Sequence, residues 1–243
     1  MSILEKDLLL DKSYKCPVCG AAFKSKTVKS GRAKSIGTDL DLRPKYSGID
    51  VVKYEAVVCP ECGYGALAKY FAEMTSAQIK KIKEKITPQF IKKEYGSDFY
   101  SYEDSIDRYK LAYASALAKE AKASEKAYIS LKMAWLMRGM RENLPKEEEE
   151  TKKKEIESQE EKLLQNAASG FMEARMKEDF PMCGMDEFTV DYLLSALYTE
   201  LGQYEDAVKL ISNVIVNREA PTRIREKGKE LKEIIGEKSK NKS

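Results

Sequence analysis

The sequence predicts a mainly α-helical protein that begins with a small antiparallel β unit, and three observations carry that prediction. Cys16-Pro17-Val18-Cys19-Gly20 returns as Cys59-Pro60-Glu61-Cys62-Gly63. Between the two, apolar residues alternate with polar ones at period two, the mark of a half-buried strand. From Thr75 onward the apolar spacing changes to three and four residues, the mark of an amphipathic helix. Of 243 residues, 42% are hydrophobic and 34% charged, so the helices can bury a core while keeping strongly polar outer faces.

Met1 to Lys15 contains the apolar run Leu8-Leu9-Leu10, too short for the core of a signal peptide. Next comes the first cysteine pair. A C-x-x-C turn offers two sulfurs from one tight loop, and a tetrahedral zinc ion takes four such ligands. Proline stiffens each loop, and the glycine after it permits the positive φ that turns backbone N–H groups toward sulfur. Cys16, Cys19, Cys59 and Cys62 therefore read as a structural four-cysteine zinc site, with iron as the alternative metal. A redox dithiol would want a low-pKa thiolate in a strand–helix setting, whereas strands lead into the second pair here.

After the first pair, Phe23 and Val28 supply apolar anchors among Lys24, Lys26, Lys29, Arg32 and Lys34. Ile36, Thr38, Leu40 and Leu42 read as one strand, Gly48 as a turn, and Val52, Tyr54, Ala56 and Val58 as a second strand that delivers Cys59. One small sheet would then bring the two cysteine loops together. Residues 1–73 form a zinc-ribbon-like unit on this reading, too small to be stable without its metal.

Residues 74–236 are expected to be helical. Thr75 with Gln78 forms a capping box ahead of Ile79, Ile82 and Ile86. Thr87-Pro88 opens a short successor, and Gly96-Ser97-Asp98 is a loop. Ser101 caps a helix with Ile106, Tyr109, Tyr113 and Leu117 along one side. Its partner runs from about Ser124 to Arg141 and carries Tyr128, Leu131, Trp135 and Leu136, with Trp135 read as core. Glu147 to Glu150 precede lysines at helical spacing and read as a solvated helix start; Leu163, Ala167, Phe171 and Ala174 are its docking stripe. Asp186 begins another helix, which Gly202 ends. A helix from Gln203 through Ile215 and one from Pro221 to Gly236 complete the domain. Residues 237–243 read as a disordered polar tail.

Leu194, Tyr198, Leu201-Gly202-Gln203-Tyr204, Ala207, Ile211 and Val214 together resemble a tetratricopeptide repeat, in which small and bulky residues alternate where two helices cross. Asp191 and Ser195 depart from that pattern, standing where a large aromatic and a small glycine are usual. The pair from Tyr109 to Arg141 reads as a degenerate second unit. The expected fold is thus a tetratricopeptide-like helical bundle behind a zinc ribbon.

A wider resemblance rests on Cys16-Pro17-Val18-Cys19-Gly20, Phe23, Asp39-Leu40-Asp41, Tyr46, and Tyr54 leading into Cys59-Pro60-Glu61-Cys62-Gly63-Tyr64. It extends to Lys132-Met133-Ala134-Trp135-Leu136-Met137-Arg138, Gly184-Met185-Asp186 and Gly202-Gln203-Tyr204-Glu205-Asp206-Ala207. On these residues the chain is similar to the bacterial domain-of-unknown-function family numbered 2225. That resemblance implies a metal-binding N-terminus and a tetratricopeptide-like C-terminus, and it implies no particular activity.

Composition narrows the function. There is no histidine, which removes Ser-His-Asp triads, histidine bases and HExxH metal sites. Cys183 therefore lacks the usual activating base and reads as a packing residue. The net charge is +3, and four thiolates on Zn²⁺ contribute about −2, so no global charge draws nucleic acid or an anionic membrane. Locally, Phe23 to Lys34 holds five basic residues and no acid, beside a cysteine loop. Tyr95, Phe99, Tyr100 and Tyr102 read as packing between helices. Five cysteines, four of them in pairs, fit a reducing compartment, so a cytoplasmic location is expected and no membrane partner. The leading expectation is a non-enzymatic scaffold for a protein or peptide partner. The alternative is a nucleic-acid-binding ribbon that uses Lys24, Lys26, Lys29, Arg32 and Lys34.

Overall fold

A computed structural model of the chain describes residues 4–145 and 150–240. Three antiparallel hairpins come first: β1 (Leu9–Lys15) with β2 (Ala22–Val28), β3 (Ser35–Thr38) with β4 (Pro44–Tyr46), and β5 (Ala56–Val58) with β6 (Gly65–Leu67). Seven α-helices follow among the described residues: α1 (Ser76–Lys85), α2 (Tyr102–Ala118), α3 (Ala123–Glu142), α4 (Glu150–Lys177), α5 (Glu187–Glu200), α6 (Tyr204–Val216) and α7 (Thr222–Lys240). The architecture is mainly α, as the sequence predicts.

The helix starts follow their side-chain caps. Thr75 and Gln78 complete a reciprocal box, and so do Ser101 and Asp104. Asp186 Oδ1 accepts from Thr189 N at 2.7 Å, and Gly202, at φ 72°, closes α5. Thr87-Pro88 opens only a single 3-10 turn, Thr87–Gln89. Of the acidic run at Glu147–Glu150, residues 147–149 lie outside the described ones, and exposed Glu150 opens α4.

The β region differs from expectation in four ways. Each cysteine loop closes its own hairpin, so no single sheet joins them. Leu8-Leu9-Leu10 leads into β1, whose register pairs Leu9 with Val28 and Lys15 with Ala22. The expected Ile36–Leu42 strand breaks at Thr38. Asp41 is drawn inward by Trp135 and Arg138, which bends the chain, and Leu40 and Leu42 pack among α5–α7 instead. Val51–Tyr54 is a 3-10 turn rather than strand, because Asp50 Oδ1 caps Val52 N at 3.1 Å. At the other end of the chain, α7 continues through Gly236 to Lys240, since Leu231 and Ile235 keep it seated in the core shared with α6.

α3 is the axle of the bundle. It is apolar on most sides, as a helix must be when others surround it, and Ile129, Leu131, Ala134 and Leu136 are fully enclosed. Each such large side chain contributes about 1.5–3 kcal/mol on burial. The tetratricopeptide-like departures have partners too. Asp191 Oδ2 accepts from Arg175 Nη2 of α4 at 3.0 Å, and Ser195 Oγ donates to the Ala207 carbonyl at 2.8 Å where α5 crosses α6.

A buried charge network ties α3 to the β region. Trp135 Nε1 donates to Asp41 Oδ2 at 2.8 Å. Arg138 reaches Asp41 at 3.0 Å, Glu160 of α4 at 2.6 Å and Glu200 of α5 at 2.6 Å. Burial works against the Arg138 charge, and Asp41, Glu200 and Glu160 outweigh it, so the guanidinium is held more firmly protonated than usual. The carboxylates are in excess. Burial first, then the Asp41 charge, push Glu200 up to about 7, against the pull of Arg138.

Two measurements check this packing. A methyl group on Gly65 would stand 2.7 Å from the Ala112 nitrogen, backbone that cannot swing aside. Gly65→Ala is expected to cost about 1–3 kcal/mol in chemical denaturation, while Gly236→Ala, in open space on a helix, should be neutral or slightly stabilising. For Glu200, a raised value means the folded state holds the proton more tightly than the unfolded chain. That stabilisation is complete below 4.5, the ordinary value, and disappears as pH climbs through about 7. Glu200→Gln should flatten this fall by on the order of 2 kcal/mol. An unchanged pH slope would mean that Arg138 keeps Glu200 ionised throughout.

Candidate metal centre

The two cysteine loops have the same local build. Cys16 N donates to Ala21 O at 2.9 Å and Gly20 N to Cys16 O at 3.0 Å; Cys59 N donates to Tyr64 O at 2.9 Å and Gly63 N to Cys59 O at 3.0 Å. Gly20 and Gly63 sit at φ 80° and 74°, the left-handed conformation that lets each chain turn back into its second strand. Backbone N–H groups of Val18 and Cys19 point at the Cys16 sulfur, and those of Glu61 and Cys62 at the Cys59 sulfur.

The loops meet face to face. Sγ of Cys16 lies 3.6 Å from Sγ of Cys62, and Sγ of Cys19 lies 3.6 Å from Sγ of Cys59. All four sulfurs lie within 4.8 Å of one another. Four sulfurs placed about 2.3 Å from one zinc ion would be about 3.8 Å apart along each tetrahedral edge, so the donor set fits a single tetrahedral ion. Cys16, Cys59 and Cys62 are buried, and Cys19 forms the exposed edge.

The electrostatics favour a cation. Hydrogen bonding from Cys16 lowers the Cys59 thiol to about 2, and the same contact raises Cys16 to about 11. Cys62 is pushed far up, first by its contact with Cys16. Mutual contact and burial thus oppose deprotonating Cys16 and Cys62 once Cys59 is a thiolate. A divalent ion removes that conflict by compensating all four thiolates.

The sequence showed the ligands but not the frame that seats them. α2 supplies most of that frame. Ser115 Oγ accepts from Gly65 N at 3.1 Å, Arg108 Nη2 donates to Ala56 O at 2.7 Å, and Tyr109 Oη donates to Val52 O at 2.9 Å. Tyr64, its ring tilted against that of Phe71 with centroids 5.0 Å apart, packs with the buried cysteines on one side of the site. The six-residue spacing shared by the two loops was the available signal for a pair of hairpins.

The sequence pattern of the family described as an uncharacterized protein conserved in bacteria, DUF2225, matches residues 9–235. The chain belongs to this family. No curated protein and no solved structure gives a significant match. The residues that carried the family resemblance in the sequence touch one another in the fold: Asp41 meets Trp135 and Arg138, and Gly63 sits between Cys59 and Tyr64.

The basic segment is divided by the structure. Lys24 and Lys26 stand two residues apart in β2, on one face of it. Lys29 Nζ donates to Asp7 O at 2.8 Å, and Arg32 and Lys34 lie exposed beyond the end of the strand. Cys183 is half-buried with its Sγ donating to Ser124 O at 3.3 Å, and burial raises its thiol.

Removing the metal tests the site. Chelation after thiol displacement, or Cys59→Ser with Cys62→Ser, is expected to cost more than about 3 kcal/mol. It should also expose the remaining knuckle thiols to a thiol reagent while Cys183 reacts as before. Equal stability and equal thiol reactivity with and without chelator would refute a metal-built site.

Proposed function

We propose that the chain is a non-enzymatic scaffold, stapled by one structural zinc ion, that presents its helices to a protein or peptide partner. Carrying this reading is the sulfur-only ligand set, which closes the coordination shell and leaves no position for water or substrate. Further support comes from the helices. From α3 to α7 each packs chiefly on its neighbours in sequence, the arrangement by which repeat proteins build extended binding faces. α6 leaves Val208 and Val216 open to solvent, with Val216 78% exposed. Zinc rather than iron, a tetratricopeptide-type packing of α5 on α6, and a reducing cytoplasmic setting for five free cysteines belong to the same reading.

A second reading, nucleic-acid binding, is favoured by Lys24 and Lys26 standing together beside the second cysteine loop. One experiment separates the two. The tagged full chain is used to capture partners before and after nuclease treatment, alongside Val208→Glu with Val216→Glu. A partner retained through nuclease and lost from the double variant supports the scaffold. Capture abolished by nuclease contradicts it.

A further inference from the structure

Arg108 of α2 is 3% exposed, yet none of its bonds among the described residues goes to a carboxylate. Its Nη2 donates to Ser25 Oγ and to Ala56 O, both at 2.7 Å, and its Nε has no partner. The other deeply buried arginines, Arg43 and Arg138, are each ringed by carboxylates. Arg108 has aromatic rings instead: its Cζ lies 4.2 Å from the Tyr100 centroid and 5.2 Å from that of Tyr95. Ring faces attract a guanidinium, but far less than a carboxylate does once water is excluded. Burial works against the Arg108 charge, and the Asp104 carboxylate, four residues earlier on α2, offsets this only in part and makes no bond to it, so a further anion there would be favourable.

A cleft of about 430 Å³ opens beside it, within the size range of small-molecule sites. Lys24, Lys26 and Lys93 line the cleft with Arg108, against two carboxylates, Asp11 and Glu94. Asp11 is already engaged by Lys26 at 2.9 Å, and Lys93 pairs with Asp107 outside the lining. Lys24 is exposed, and none of the described contacts engages it. Phe90, Tyr95 and Pro60 of the second cysteine loop supply apolar wall. Two cations at the cleft, Lys24 and Arg108, are thus bonded to no carboxylate among the described contacts.

We infer that this cleft binds a small phosphate-bearing molecule. The phosphate meets the Arg108 guanidinium and Lys24, and the organic part lies against Tyr95 and Phe90. A dianion calls for more than one cation, and a guanidinium offers paired donors that match phosphate oxygens. The volume exceeds what a bare phosphate needs. A nucleic-acid strand fits less well, because between Lys24 and the exposed Arg32 and Lys34 the cations are engaged, Lys26 by Asp11 and Lys29 by the Asp7 carbonyl.

The test uses the metal-loaded full chain, with AMP, inorganic phosphate and adenosine as probes, each against chloride at equal ionic strength. AMP should raise Tm by a few degrees at saturation, phosphate less, and adenosine not at all. Lys24→Gln with Lys93→Gln, both exposed positions, should change the unliganded Tm little, since an exposed ion pair such as Lys93 with Asp107 contributes under about 1 kcal/mol, and should weaken AMP binding by calorimetry about tenfold or more. Arg108→Gln should abolish it; where that variant does not fold, the lysine pair still decides. A phosphate response equal to that of AMP would assign the site to the bare anion. The inference is overturned if neither phosphate compound exceeds chloride, if adenosine matches AMP, or if the lysine variant binds as the parent does.

Discussion

Everything N-terminal to α1 depends on bringing two loops, forty-odd positions apart in the chain, to within one ion's coordination radius. Cys16 and Cys62 are separated by 46 residues and their sulfurs by 3.6 Å. Closing a loop of that length costs chain entropy that grows only slowly with length, but two isolated hairpins cannot offset even that, being marginal on their own in water. A metal ion bound by the four thiolates would supply what the strands lack. α2 then fixes the result, because Arg108, Tyr109 and Ser115 each bond to backbone or side chains of the β region. The metal site is therefore built into the bundle instead of hanging from it.

A second constraint acts about twenty residues away from the cysteines in sequence, at the turn through Asp39 and Asp41. Its carboxylates share Arg138 with Glu160 and Glu200, and Trp135 adds a hydrogen bond. Buried ion pairs return little net stability against an apolar alternative, though breaking one is expensive. Their use here is positional: a single guanidinium fixes where α4 and α5 meet α3 and where the β-rich insert rests on all three. A metal ion on the four sulfurs would hold the two cysteine hairpins together, and Arg138 sets the orientation of the β region on the helices.

The features legible in the sequence were those written in local chemistry. The cysteine loops, the capping box at Thr75, the cap at Ser101, and the Asp186 and Gly202 helix limits all depend on residues within a turn of one another. What could not be read depends on distant partners. Asp41 looks like a polar position in an alternating strand until Trp135 and Arg138 are beside it, and their pull is what ends the strand. Asp50 likewise converts an apparent strand start at Val52 into a capped turn. Gly236 resembles a helix stop, but Leu231 and Ile235 keep the helix packed past it. Arg108 gave no sign of importance, since its burial exists only once both hairpins lie against α2.

The chain thus joins an ion-built head to a run of helices, and the account of its scaffold role requires that the ion be fully enclosed by sulfur. The most direct measurement is X-ray absorption at the metal edge of the purified full-length protein. One metal ion per chain with four sulfur ligands at about 2.3 Å is the expected result. A first shell containing nitrogen or oxygen, or fewer than four sulfurs, would mean an open coordination position and would contradict a purely structural centre.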